Sequence, residues 1–120
     1  MKHKYLRELF PEDGLPFPFS EPDYHDFDER DTFNMDFTLV AWLYECLRYF
    51  QDEASKIVNL EFYKFDIDGK TLTQRQCIDR MVDDCKVILL GDEYGYYEKR
   101  DAVKDDLFKV LSKVYWAMWW

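Results

Sequence analysis

All four prolines of this chain, Pro11, Pro16, Pro18 and Pro22, fall within its first 22 residues. Proline lacks an amide donor and breaks helix interiors. The opening segment therefore cannot be one long helix, while nothing after Pro22 forbids helix. Met1 to Phe10 has room for one short turn of helix before Pro11, and Gly14 to Phe19 reads as extended. Phe17, Phe19, Tyr24 and Phe27 alternate with carboxylates. A flexible linker has no use for such rings, so residues 1–33 read as an ordered acidic-aromatic arm laid across a helical body, residues 34–120. The length of 120 residues suits a single domain with a true core.

Three helices are expected in the body, near 35–55, 73–90 and 98–118. Asn34 is a good N-cap for the first, with Asp36 in the first turn. Leu39, Leu43, Cys46, Leu47, Phe50 and Ala54 follow helical spacing, and Phe37, Val40, Trp42, Tyr44 and Tyr49 fill much of the remaining circumference. A helix apolar nearly all round is a central one. Thr73 with Gln76 forms a capping box, and Cys77, Ile78, Met81, Val82, Cys85, Ile88 and Leu89 make one stripe that Gly91 ends. The third stripe is Val103, Leu107, Val110, Leu111, Val114 and Met118. Between the first two helices, Ile57 to Thr71 looks extended, with Leu60 and Phe62 alternating against Glu61, and Asp68-Gly69 is a turn signal. The fold class is mainly α, or α+β if that stretch closes into a hairpin: a three-helix core, a short hairpin or extended segment, and the arm.

Motifs for chemistry are few. Aligned as an EF-hand, Asp66, Asp68 and Gly69 would put Lys64 and Arg75 where calcium needs carboxylates, so an ordinary turn is the reading. His25 lies among Asp23, Asp26 and Asp28, but His3 is the only other histidine, and Cys46, Cys77 and Cys85 lack zinc spacing. These cysteines read as reduced, buried thiols. Ser20, Ser55 and Ser112 sit in no nucleophile elbow, and no phosphate-binding glycine loop exists. The chain is read as non-enzymatic, with no catalytic residue, metal or cofactor. No apolar run is long enough for a signal peptide or a membrane span, and a cytoplasmic protein is expected.

Charge and aromatic content then direct the functional reading. The net charge of −9 repels nucleic acid and anionic lipid, so neither is expected to bind directly. Solubility alone would explain such a charge. The arm concentrates it, however: Asp23, Asp26, Asp28, Glu29 and Asp31 surround the single cation Arg30. Fixed in place, these carboxylates would stand in for phosphates and occupy a Lys/Arg groove on a partner. The other candidate surface is the C-terminal run holding Trp116, Trp119 and Trp120, since Trp is enriched at binding hot spots. The competing reading packs Trp116 and Trp119 onto the bundle end or the arm.

Two stretches, DTFNMDFTLVAWLYECLRYF (31–50) and FYKFDIDGKTLTQ (62–74), resemble a group of small acidic proteins encoded by phages and integrated elements of Gram-positive bacteria. The similarity lies in an Asp-x-[Trp/Phe]-[Asn/Ser]-[Leu/Met]-Asp motif entering an apolar helix, and in an ending like Ala117-Met118-Trp119-Trp120. It departs at Tyr63, where many members have His. The resemblance transfers no catalytic residue. It implies a mobile-element accessory protein, and mobile elements carry acidic inhibitors of host defence. The expected function is an anti-CRISPR-like inhibitor that binds a host or phage protein with a basic groove, such as a defence nuclease, by mimicking nucleic acid. The alternative is a structural or regulatory adaptor that binds through the C-terminal tryptophans.

Overall fold

The computed structural model describes residues 4–10, 32, 35–91 and 99–119. The fold is mainly helical, as the periodicity predicts. Among the described residues, helix α1 covers Lys4–Leu9, α2 Met35–Asp52, α3 Gln74–Leu90 and α4 Arg100–Val114. Short 3-10 turns follow α2 at Ala54–Lys56 and α4 at Tyr115–Ala117. Strands β1 (Lys64–Ile67) and β2 (Lys70–Thr73) form one antiparallel hairpin, with Phe65 opposite Leu72. The expected arm beyond Phe10, Asn34 as a cap, and the tyrosine-rich stretch 92–98 lie outside the described residues.

Helix α3 forms where its sequence signals it. Thr73 caps it, accepting from the Gln76 amide at 3.2 Å while the Gln76 side chain accepts from the Thr73 amide at 2.9 Å. All seven residues of its expected stripe are buried. Replacing Thr73 by Ala should therefore cost about 1 kcal/mol, read as a lower urea midpoint at unchanged slope. An unshifted midpoint would contradict the cap.

The phase of α2 differs from the expected one. Its buried residues are Val40, Ala41, Tyr44, Leu47 and Phe50. Leu39 is 48% and Trp42 56% exposed, so α2 is not enclosed on all sides. Leu43 and Leu111, both expected at the centre of the core, are only half-buried. The phase is set by what packs on α2, namely α3 and α1.

Helix α1 fills the short turn of helix expected before Pro11. Tyr5 and Leu6 are fully buried, so this first part of the chain packs into the core. Six residues cannot sustain a helix alone. Glu45 on α2 supplies the missing cap: its carboxylate accepts from the Tyr5 amide at 2.9 Å and from the Leu6 amide at 3.0 Å. The Tyr5 hydroxyl donates to Asp52 at 2.9 Å, Arg48 stacks 4.7 Å over the Tyr5 ring, and Tyr49 meets that ring edge-on.

Between α2 and α3 the chain is less extended than its alternation suggests. Asn59 makes a turn, its side chain accepting from the Glu61 amide at 3.0 Å and its carbonyl from the Phe62 amide at 3.2 Å. Leu60 is buried, but Phe62 is 71% exposed. The hairpin starts only at Lys64. Its turn residues Asp68 and Gly69 have φ of 55° and 76°, as a two-residue type I′ connection requires.

Candidate functional site

Two features could carry function: a surface of exposed rings and the charged cluster that fixes the elements bearing them.

The rings occupy two segments. Phe62 and Tyr63 precede β1 and contact each other edge-on at 5.1 Å. Tyr115, Trp116 and Trp119 follow α4, with Tyr115 edge-on to Trp116 at 5.0 Å. Gln74, the first residue of α3, joins the two segments. Its amide donates to the Tyr63 carbonyl at 3.0 Å, and its Nε2 donates to the Ala117 carbonyl at 2.9 Å. Gln74 is buried, so its hydrogen bonds form away from water and hold the two segments firmly.

The rings themselves are open. Trp116 is 87% exposed and Trp119 68%. This corrects the reading that packs Trp116 and Trp119 on the bundle end; the arm beyond Phe10 lies outside the described residues. The stripe of α4 points Leu107, Val110 and Val114 inward, and the 3-10 turn that follows α4 carries Tyr115 and Trp116 into solvent. Trp120 lies outside the described residues.

The charged cluster sits where the hairpin turn meets α3 and α4. Arg80 on α3 donates through Nε to Asp106 of α4 at 3.0 Å, and through Nη2 both to Asp106 and, at 2.8 Å, to Asp68. Lys109 of α4 donates to both Asp68 oxygens, at 2.8 and 2.9 Å. These donors hold the Asp68 and Asp106 carboxyls below their ordinary range. The turn residue once compared with a calcium ligand thus accepts from two cations. Together the contacts tie the hairpin to the helix that carries the tryptophans.

The other candidates are quickly placed. His25 and the carboxylates Asp23, Asp26, Asp28, Glu29 and Asp31 lie outside the described residues. Among the described residues, no group of three or more His, Cys, Asp or Glu is placed to hold a metal ion. Burial pushes the Cys46 thiol up to about 11 and raises those of Cys77 and Cys85, which leaves all three poor nucleophiles at neutral pH. An open cleft of about 300 Å³, lined by Phe37, Leu39, Val40, Ile88 and Phe108 together with four charged side chains, separates α2 from α4. It accounts for the exposure of Leu39 and Phe108. No helix among the described residues is long and apolar enough to cross a membrane.

The charge is unevenly distributed along the chain. The described residues hold fourteen acidic and fourteen basic side chains, so the whole net charge of −9 belongs to segments 1–3, 11–31 and 92–98. The described residues, which carry the aromatic surface, are together neutral. Sequence reasoning missed Phe62, Tyr63 and Tyr115 as surface rings and Gln74 as their anchor. Only the Asn59 turn signal, which breaks the alternation before Phe62, could have found the first pair. Comparison with protein-family models, with curated proteins and with solved structures finds no match for the chain.

Proposed function

We propose that this chain is a non-catalytic binding protein whose partner docks on Phe62, Tyr63, Tyr115, Trp116 and Trp119. The observation that carries the reading is the exposure of Trp116 and Trp119 beside a buried, doubly bonded Gln74. Each large ring has ~150–250 Å² to bury. At their exposures the five together offer roughly 700 Å², close to the ~800 Å² that one side of a standard interface contributes. The partner is therefore a protein with an apolar recess that receives indole rings, and the chain acts as a structural or regulatory adaptor.

A second reading is favoured by the charge distribution. Segment 11–31 contains eight carboxylates against Arg30. Asp23, Asp26, Asp28, Glu29 and Asp31 would engage the Lys/Arg groove of a host nuclease, making the chain an anti-defence inhibitor of a phage or mobile element. One experiment separates the two. The wild-type chain, a Trp116→Ala/Trp119→Ala variant, and a variant with Asp23, Asp26, Asp28 and Glu29 changed to Lys are used as baits for host lysate at 0.1 and 1 M salt. The adaptor reading expects a partner lost by at least tenfold from the tryptophan variant at both salts, kept by the charge variant, and not displaced by DNA. A partner that salt or DNA displaces and that the tryptophan variant retains would overturn it in favour of the acidic mimic, because exposed charges are screened as the Debye length falls from ~10 Å to ~3 Å.

A further inference from the structure

Asp84 lies on α3 one turn beyond Arg80, at the seam with α4. Its Oδ2 is buried and, among the described residues, has no hydrogen-bond partner. Its carboxyl is hydrogen-bonded to the carboxyl of Asp106 across the seam. Two ionised carboxylates in contact repel strongly, so such a pair holds one proton between them.

The surroundings decide which member is charged. Asp106 is gripped by Arg80 and has Lys109 at 3.7 Å, so it stays ionised. Arg80 directs Nε and Nη2 to Asp106 and Asp68 and acts on Asp84 only through space. Burial, then the contact with Asp106, push Asp84 up to about 8. Asp84 is faced by Asp106 from α4 and by Arg80 and Asp83 from its own helix. Asp68 and Lys109 act on it through Arg80 and Asp106. Helix α2 meets α3 on another side, where Gln51 donates to Asp79.

We propose that the Asp84–Asp106 carboxyl pair is a pH-sensitive latch that, while protonated, keeps the hairpin turn docked on the α3–α4 seam. Loss of the proton sets two partly buried carboxylates against each other. Arg80 already grips Asp106, and drawing it toward Asp84 takes it from Asp68. The turn then keeps the Lys109 ion pair with Asp68 and the packing of the buried Ile67 as its ties and loosens at its tip, while Gln74 still joins the two aromatic segments. The latch does not rest on the adaptor reading above.

The direction of the pH dependence follows from linkage. Asp84 is raised in the folded chain, so its contribution is fully present below the ordinary carboxylate range and fades as the pH rises from about 4 toward 8. Asp106 and Asp68 are lowered, so their contributions are lost only in acid. The seam is tightest in mildly acidic solution.

Urea unfolding of the free protein at pH 5.5, 7.0 and 8.5, for wild type and Asp84→Asn, tests the latch. The wild-type unfolding constant should rise by at most about tenfold per pH unit, whereas that of Asp84→Asn should stay flatter and fall below the wild-type value at pH 8.5. Parallel profiles for the two proteins would overturn the proposal. A carbon-13 titration of the Asp84 carboxyl in the wild type needs no variant: a midpoint above pH 7 is expected, and one near 4 would overturn it. Amide exchange at residues 64–73, corrected for intrinsic rate, should accelerate at pH 8.5 in the wild type and not in Asp84→Asn. Equal acceleration in both would refute the coupling to the hairpin. Because none of these readouts involves a partner, they stand or fall apart from the adaptor reading.

Discussion

A chain lacking residues 1–10 should lose most of its stability and unfold without a sharp transition. Tyr5 and Leu6 are at most 1% exposed, and burying each contributes ~1.5–3 kcal/mol. Their removal also uncovers the face of α2 on which they pack. Glu45 loses its three hydrogen bonds from the Tyr5 and Leu6 amides, and Asp52 loses the Tyr5 hydroxyl. The sum approaches the ~5–15 kcal/mol by which a whole domain is stable. Circular dichroism on heating should show a midpoint lowered by more than about 15 °C, together with increased binding of a hydrophobic dye. A truncated chain that melts like the full one would mean that α1 is not part of the core.

The second large effect concerns α4, where two leucines that the sequence treats alike should behave differently. Leu107 and Leu111 are one helical turn apart on the same stripe. Leu107 is fully buried, whereas Leu111 is half-buried. Leu107→Ala removes a side chain enclosed by the core and leaves a cavity that its neighbours close only in part, at a cost of about 2–5 kcal/mol. At position 111 water reaches the vacated space, so most of the cavity penalty is absent and the cost should be less than half as large. Urea midpoints compared at equal slope measure both. Equal losses would contradict the placement of α4 against α3.

How much of this was legible in the sequence depended on contrast around each helix. On α3 the apolar residues Cys77, Ile78, Met81, Val82, Cys85, Ile88 and Leu89 are separated by Asp79, Asp83 and Lys86, so only one rotation of the helix is compatible with burial. On α2 apolar residues occupy nearly every direction. Rotating the helix changed little in its own pattern, and the phase that buries Tyr44 while exposing Trp42 was fixed by α1 and α3. The place of helix α1 in the core was illegible for a related reason. Its stability comes from Glu45, forty residues away in sequence from Tyr5, and no local rule connects the two.

The site divides in the same way. Trp116 and Trp119 were identifiable as candidates because large rings in a short terminal run stand out, but their exposure depends on where α4 ends, after Val114. Phe62 was assigned to a strand by alternation, and the Asn59 turn overrides that alternation. Asp68 was readable as a turn residue. That it also binds Arg80 and Lys109 follows from the docking of the hairpin on α3 and α4, which one sequence does not encode in any short pattern. The burial of the Asp84 Oδ2 is likewise a property of the α3–α4 seam, since the sequence shows only one more carboxylate in a polar run.

The claim that the exposed rings form the interface is tested most directly by site-specific photo-crosslinking in living cells. A photoreactive aromatic amino acid is placed at position 116 in one chain and at position 26 in another. Because Trp116 is 87% exposed, the replacement there should leave folding intact, which a melting curve checks. The account predicts a discrete crosslinked product from position 116, unchanged when the cells are lysed in high salt before irradiation, and none from position 26. A product from position 26 alone, lost in high salt, would contradict it.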